Sequence, residues 1–130
     1  MNLYIYVDGT DLEEIEEKIS SSISSWLSSL VSGTKEGKKN TLVFVNQRTG
    51  AEHGSEGDAP GWNLGVNLKV KSKRELKEPL NTLYLLAKEH KRDFVIGIIN
   101  TKTGVNEDVC FFGHEEGRPD IYEVANYLGL

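Results

Sequence analysis

The hydrophobic period of this chain changes along its length, and that change restricts the fold more than any single motif does. Leu12, Ile15, Ile19, Ile23, Trp26 and Leu30 recur at spacings of three and four, which lays one apolar stripe along a helix. Leu64, Val66, Leu68 and Val70 instead alternate with Gly65, Asn67, Lys69 and Lys71, the two-residue period of a strand with one wet face. Further β-prone stretches lie at residues 3–7, 41–46 and 108–113, and the continuous apolar run 94–99 predicts a buried central strand. Leu76, Leu80, Leu83, Ala87 and His90 mark a second helix, and Ile121, Val124 and Leu128 a short third one. The expected order is β-α-β-β-α-β-β-α. This is an α+β fold, an α/β sandwich with a mixed, mainly antiparallel sheet, and its first six elements follow ferredoxin-like order.

Local signals set the expected boundaries. Thr10 with Glu13, and Ser72 with Glu75, read as capping boxes, the first starting a helix at about residue 11. Gly33 is a natural stop for that helix. Pro79 requires either a separate short turn before a helix beginning there or a kink, because proline inside a helix removes a hydrogen bond. Asp120 with Glu123 caps the last helix. Residues 100–107 read as a hairpin turn. Residues 47–63 hold four glycines and Pro60, and the reading there is a long, structureless connection, a type usually kept for function.

A chain of 130 residues is the size of one domain and buries roughly two-thirds of its unfolded surface without staples. Cys110 is the only cysteine, so no intrachain disulfide can form, which suits a reducing compartment. The N-terminus lacks a basic leader, and no apolar run approaches the roughly 20 residues of a membrane span, so the expectation is a cytoplasmic protein without a membrane partner. The net charge of −5 is unevenly spread. Residues 1–33 carry six acids against Lys18, residues 64–92 carry eight bases against three acids, and residues 93–130 carry seven acids against Lys102 and Arg118. Net acidity disfavours direct binding of nucleic acid, whose affinity depends on neutralising phosphates.

The search for chemistry is largely negative. Asp8-Gly9-Thr10 resembles part of the D-x-D-G-T motif of haloacid dehalogenase phosphatases, but Tyr6 occupies the position of the nucleophilic aspartate. His53, His90 and His114 are not spaced as metal ligands, and no metal or cofactor is expected. His53 beside Glu52, and His114 before Glu115 and Glu116, are the only residues suggesting acid–base work, since histidine exchanges protons near neutrality. Cys110 lies in an apolar strand and reads as an inert core thiol. The glycines at 50–61 fit no phosphate-binding pattern, and the acids among them would repel phosphate.

The segment 111–120, Phe-Phe-Gly-His-Glu-Glu-Gly-Arg-Pro-Asp, followed by Tyr127-Leu128-Gly129, resembles bacterial immunity proteins of contact-dependent growth inhibition and related polymorphic toxin systems. The resemblance implies a cytoplasmic antidote that binds one cognate toxin domain, usually a nuclease, and blocks it without chemistry. The residues expected to meet that partner are Glu52, His53, Glu56, Asp58 and Trp62 in the glycine-rich segment, with Glu107, Asp108, His114, Glu115 and Glu116 around the final strand. Glu13 to Glu17 form a competing site, ranked lower because acids in the first turns of a helix already favour its dipole. A small ligand-sensing regulatory domain and a small histidine–carboxylate enzyme are the alternatives.

Overall fold

The computed structural model describes residues 1–9, 11–33, 42–49 and 61–130. Five strands, β1 (Asn2–Val7), β2 (Leu42–Thr49), β3 (Gly61–Lys69), β4 (Asp93–Ile99) and β5 (Asn106–Gly113), form one sheet in the order β2-β3-β1-β4-β5. Every neighbouring pair is antiparallel, so the sheet is wholly antiparallel rather than mixed. The helices are α1 (Glu16–Gly33), α2 (Lys77–His90) and α3 (Ile121–Leu128). The first six elements adopt the ferredoxin-like arrangement, with β5 added beside β4.

One face of the sheet carries the main core. Leu3, Ile5 and Val7 of β1, Leu64, Val66 and Leu68 of β3, and Phe94 and Ile96 of β4 meet Ile19 and Ile23 of α1, Leu80, Leu83 and Ala87 of α2, and Val124 and Leu128 of α3. Phe94 stacks on Phe112 of β5 at 5.8 Å between ring centres. The other face holds a smaller cluster of Tyr4, Tyr6 and Val95, flanked by Val45 and Ile99. Tyr4 and Tyr6 stack at 4.8 Å; the Tyr6 hydroxyl donates to Asn67 of β3, and the Tyr4 hydroxyl donates to the Asp108 carboxylate of β5. The face of β3 expected to be wet is therefore partly roofed by tyrosine.

Several boundaries differ from expectation. The chain leaves β1 through Asp11, which adopts a left-handed conformation and caps nothing with its side chain. A 3-10 turn at Leu12–Glu14 follows, and the α-helix begins only at Glu16. Leu12 and Ile15 are buried, as the apolar stripe requires, while Thr10, the expected cap, lies outside the described residues. Ser72 likewise makes no cap bond. Glu75 alone reaches back, accepting from the Lys71 N–H. A 3-10 turn at Lys73–Leu76 precedes α2, which places Pro79 in the first helical turn, where its missing N–H costs nothing. Asp120 caps α3 as expected, accepting from Tyr122 and Glu123 N–H groups. Residues 47–63 are not wholly structureless: β2 runs to Thr49 and β3 begins at Gly61, with Arg48 opposite Trp62. β4 starts one residue early, at Asp93, and β5 two residues early, at Asn106. Among the described residues no helix is long and apolar enough to cross a membrane.

Candidate protein-binding surface

Antiparallel pairing fixes which strand ends lie together. Val7 pairs with Phe94, Asp93 with Gly113, Tyr6 with Gly65, and Thr49 with Gly61. The C-terminal ends of β1, β2 and β5 and the N-terminal ends of β3 and β4 therefore share one end of the sheet. Asp8, Asp11, Glu13, Glu14, Asp93, Glu115 and Glu116 gather there from segments more than a hundred residues apart. Lys91 and Arg92, at the end of α2, and Arg48, near the C-terminal end of β2, are cations at the same end among the described residues. The Arg92 guanidinium donates to the Asp11 carbonyl at 3.2 Å and stands 4.0 Å from the Glu14 carboxylate, which ties the exit of β1 to the start of β4.

The turn after β5 is held firmly. Gly113, with φ of +140°, and Gly117, with φ of +89°, bond to each other through both backbone groups. The Asp93 carboxylate accepts the N–H groups of Glu115 at 2.9 Å and Glu116 at 3.2 Å. His114 donates its N–H to the Arg92 carbonyl. The side chains of His114, Glu115 and Glu116 all remain exposed. Their backbone is ordered at no cost to side-chain access, an arrangement that saves entropy on binding.

The expected site residues divide. His114, Glu115 and Glu116 lie at the acidic end, as do Glu13 and Glu14 of the competing site, so these two acidic sets are neighbours rather than rivals. Trp62 is at this end too, but it is not a free aromatic anchor. It is half-buried against the core, and its indole N–H donates to Asn46 at 2.7 Å. Asn46 in turn donates to Glu16. Glu107 and Asp108 sit toward the opposite end of β5, opposite Ile98 and Gly97, and Asp108 is engaged by Tyr4. Glu52, His53, Glu56 and Asp58 lie outside the described residues. Asp93 escaped notice in the sequence because its role depends on pairing with Gly113; only its position just before an apolar run marked it.

Among the described residues, His90 and Cys110 lie outside this acidic set. The His90 side chain is largely buried at the end of α2, with Nε2 3.6 Å from the neighbouring Glu89 carboxylate. Cys110 is half-buried rather than fully in the core, and burial, helped by the Glu123 charge, pushes its thiol pKa up, away from the reactive thiolate. Among the described residues no group of three His, Cys, Asp or Glu side chains is placed to hold a metal ion. A hollow of about 440 Å³ beside α3, lined by Lys73, Asp120, Tyr122, Glu123, Ala125, Asn126 and Leu130, contains none of the expected site residues. No protein-family model, curated protein or solved structure matches this chain.

Proposed function

We propose that this chain is a cytoplasmic immunity protein that binds a basic toxin domain, a nuclease above all, and occludes its active site. The observation that carries this reading is the gathering of Asp8, Asp11, Glu13, Glu14, Asp93, Glu115 and Glu116 at one end of the sheet, with the Glu115–Glu116 backbone held rigid. A nuclease must present cations to phosphate, and a preorganised acidic end competes for those cations. Long-range attraction of this kind raises association rates toward about 10⁸ M⁻¹s⁻¹ at low salt. Inhibition by occlusion requires no catalytic group and no cofactor, in keeping with the resemblance of residues 111–120. The Tyr4–Tyr6 pair does not favour an alternative role in nucleic-acid stacking, since both rings are almost fully covered and both hydroxyls are bonded.

The test is co-purification with candidate toxin domains, followed by association kinetics of charge-reversed variants. Glu115→Lys with Glu116→Lys should slow association at least about tenfold at low salt, and salt should erase the difference. Glu107→Lys, at the other end, should change it far less. Equal effects from the two ends would overturn the assignment of the surface, and failure of every basic toxin domain to bind would overturn the function.

A further inference from the structure

The two edges of the sheet are built differently. β5 is blunted: its register slips between Ile96 and Gly97, leaving Val109 unpaired, it carries Glu107 and Asp108, and its end folds onto Gly117. β2 has none of these devices. It runs eight residues, Leu42–Thr49, in unbroken register with β3, carries no carboxylate, and leaves Val43 55% exposed. No described element pairs with its outer side. The first half of β2 is apolar and the second half is Asn46, Gln47, Arg48 and Thr49; a long, regular edge of this kind is a template for another strand, and proteins that must stay monomeric normally protect it.

The charges select the partner. Among the described residues, the end opposite the acidic one holds the Met1 ammonium, Lys69, Lys71, Lys73, Arg74 and Lys102, with Glu75, Glu78, Glu107 and Asp108 the nearby acids. None of those six cations forms an ion pair with a carboxylate among the described residues. We propose that β2 pairs antiparallel with β2 of a second copy about a two-fold axis, giving a continuous sheet twice the five strands of one copy. That operation reverses one copy end for end, so the acidic end of each protomer lies beside the basic end of the other. Parallel pairing, or another acidic protein, would forgo that match. The pairing also extends the second-face apolar row, Val45, Tyr6, Val95 and Phe111, from one copy into the next. α1, the helix packed on β2, exposes Ser21, Ser24 and Ser25, small side chains that permit its symmetry mate to approach. The inference is independent of the toxin reading.

Light scattering during gel filtration should give twice the 14.5 kDa chain mass at tens of micromolar, falling toward the monomer at high salt. Val43→Lys, a change at an exposed position, should raise the dimer dissociation constant at least tenfold with an unchanged circular dichroism spectrum. In a Cys110→Ser background, one of Val43→Cys, Val45→Cys or Gln47→Cys should cross-link to its own copy on mild oxidation, whereas Leu85→Cys on α2 should not. A monomer at all concentrations overturns the proposal. So does a dimer that survives Val43→Lys and cross-links at none of the β2 positions.

Discussion

Gly97 is predicted to tolerate no side chain, because Tyr4 occupies the space a Cβ would need. Tyr4 pairs with Gly97 across β1 and β4, and its ring crosses the glycine to deliver its hydroxyl to Asp108 on β5. A Cβ at position 97 would overlap both the phenolic end of Tyr4 and the backbone carbonyl of Glu107. The Glu107 carbonyl, held in the β4–β5 ladder by the pairing of Glu107 with Ile98, must therefore shift, and Tyr4 must lift away as well. Lifting it sacrifices a hydrogen bond to a charged acceptor, about 1.5–3 kcal/mol, the lower figure being apt because Asp108 is exposed. It also loses the stack on Tyr6, about 0.5–1.5 kcal/mol. These losses come to about 2–3 kcal/mol and are offset in part by the roughly 0.5–1 kcal/mol that alanine regains in chain entropy, so Gly97→Ala should cost at least about 1 kcal/mol. Urea denaturation of Gly97→Ala, Tyr4→Ala and the double variant measures this. With Tyr4 already removed, the glycine substitution should cost at least about 1 kcal/mol less, because contacting residues couple. Additive effects, or a Gly97→Ala variant within about 0.5 kcal/mol of the parent, would refute the argument.

Other consequences follow from the same packing. Burial, followed by the Asp108 bond and charge, drives the Tyr4 pKa far above its ordinary 10, and burial also raises that of Tyr6. A raised folded-state pKa keeps its full stabilisation below the unfolded value and loses it above, so the tyrosine contribution to thermal stability should be constant below about pH 10 and fall beyond it, less steeply in Tyr4→Phe. Asp120→Ala removes the acceptor for two N–H groups of α3 and should cost about 1 kcal/mol in chemical denaturation. Phe94→Ala, which empties a fully buried site stacked on Phe112, should cost about 3–5 kcal/mol in the same assay. Cys110 should react with a thiol-specific reagent at pH 8 more slowly in the folded protein than in urea, because burial raises its pKa.

What the sequence disclosed depended on how local each signal is. The stripe from Leu12 to Ile23, the run 94–99 and the Asp120 cap were legible because each depends on neighbours a few residues away. Pro79 made the short turn before α2 legible, whereas the α-helical part of α1 begins later than the sequence suggests. A capping box is worth about 1 kcal/mol, less than burying Leu76, and the turn before α2 forms without a Ser72 cap bond. The place of Trp62 in β3 was not legible, because its glycine and proline neighbours suggest a loop, while its pairing with Arg48 and its bond to Asn46 arise only when β2 and β3 meet. The tyrosine roof was equally invisible. Nothing near Tyr4 in sequence announces Asp108, which lies 104 residues away.

Strand order converts the uneven charge of the sequence into a directional one. The acidic residues that gather follow the C-terminal ends of β1 and β5 or open β4, while Lys69, Lys71, Lys73 and Arg74 follow the C-terminal end of β3, and Lys102 lies in the β4–β5 turn. In an antiparallel sheet with these connections, those two sets of positions fall at opposite ends. The net charge of −5 therefore understates the field at either end, which attracts a cation-rich surface at one and repels it at the other. It also means that net charge alone cannot decide an interface. Glu107→Lys and Glu115→Lys change the total by the same amount but act at opposite ends of β5. If binding depended on net charge, these two variants would lose association rate equally. If it depends on the acidic end, Glu115→Lys should lose far more, and that inequality separates a docking surface from general attraction between an acidic protein and a basic one.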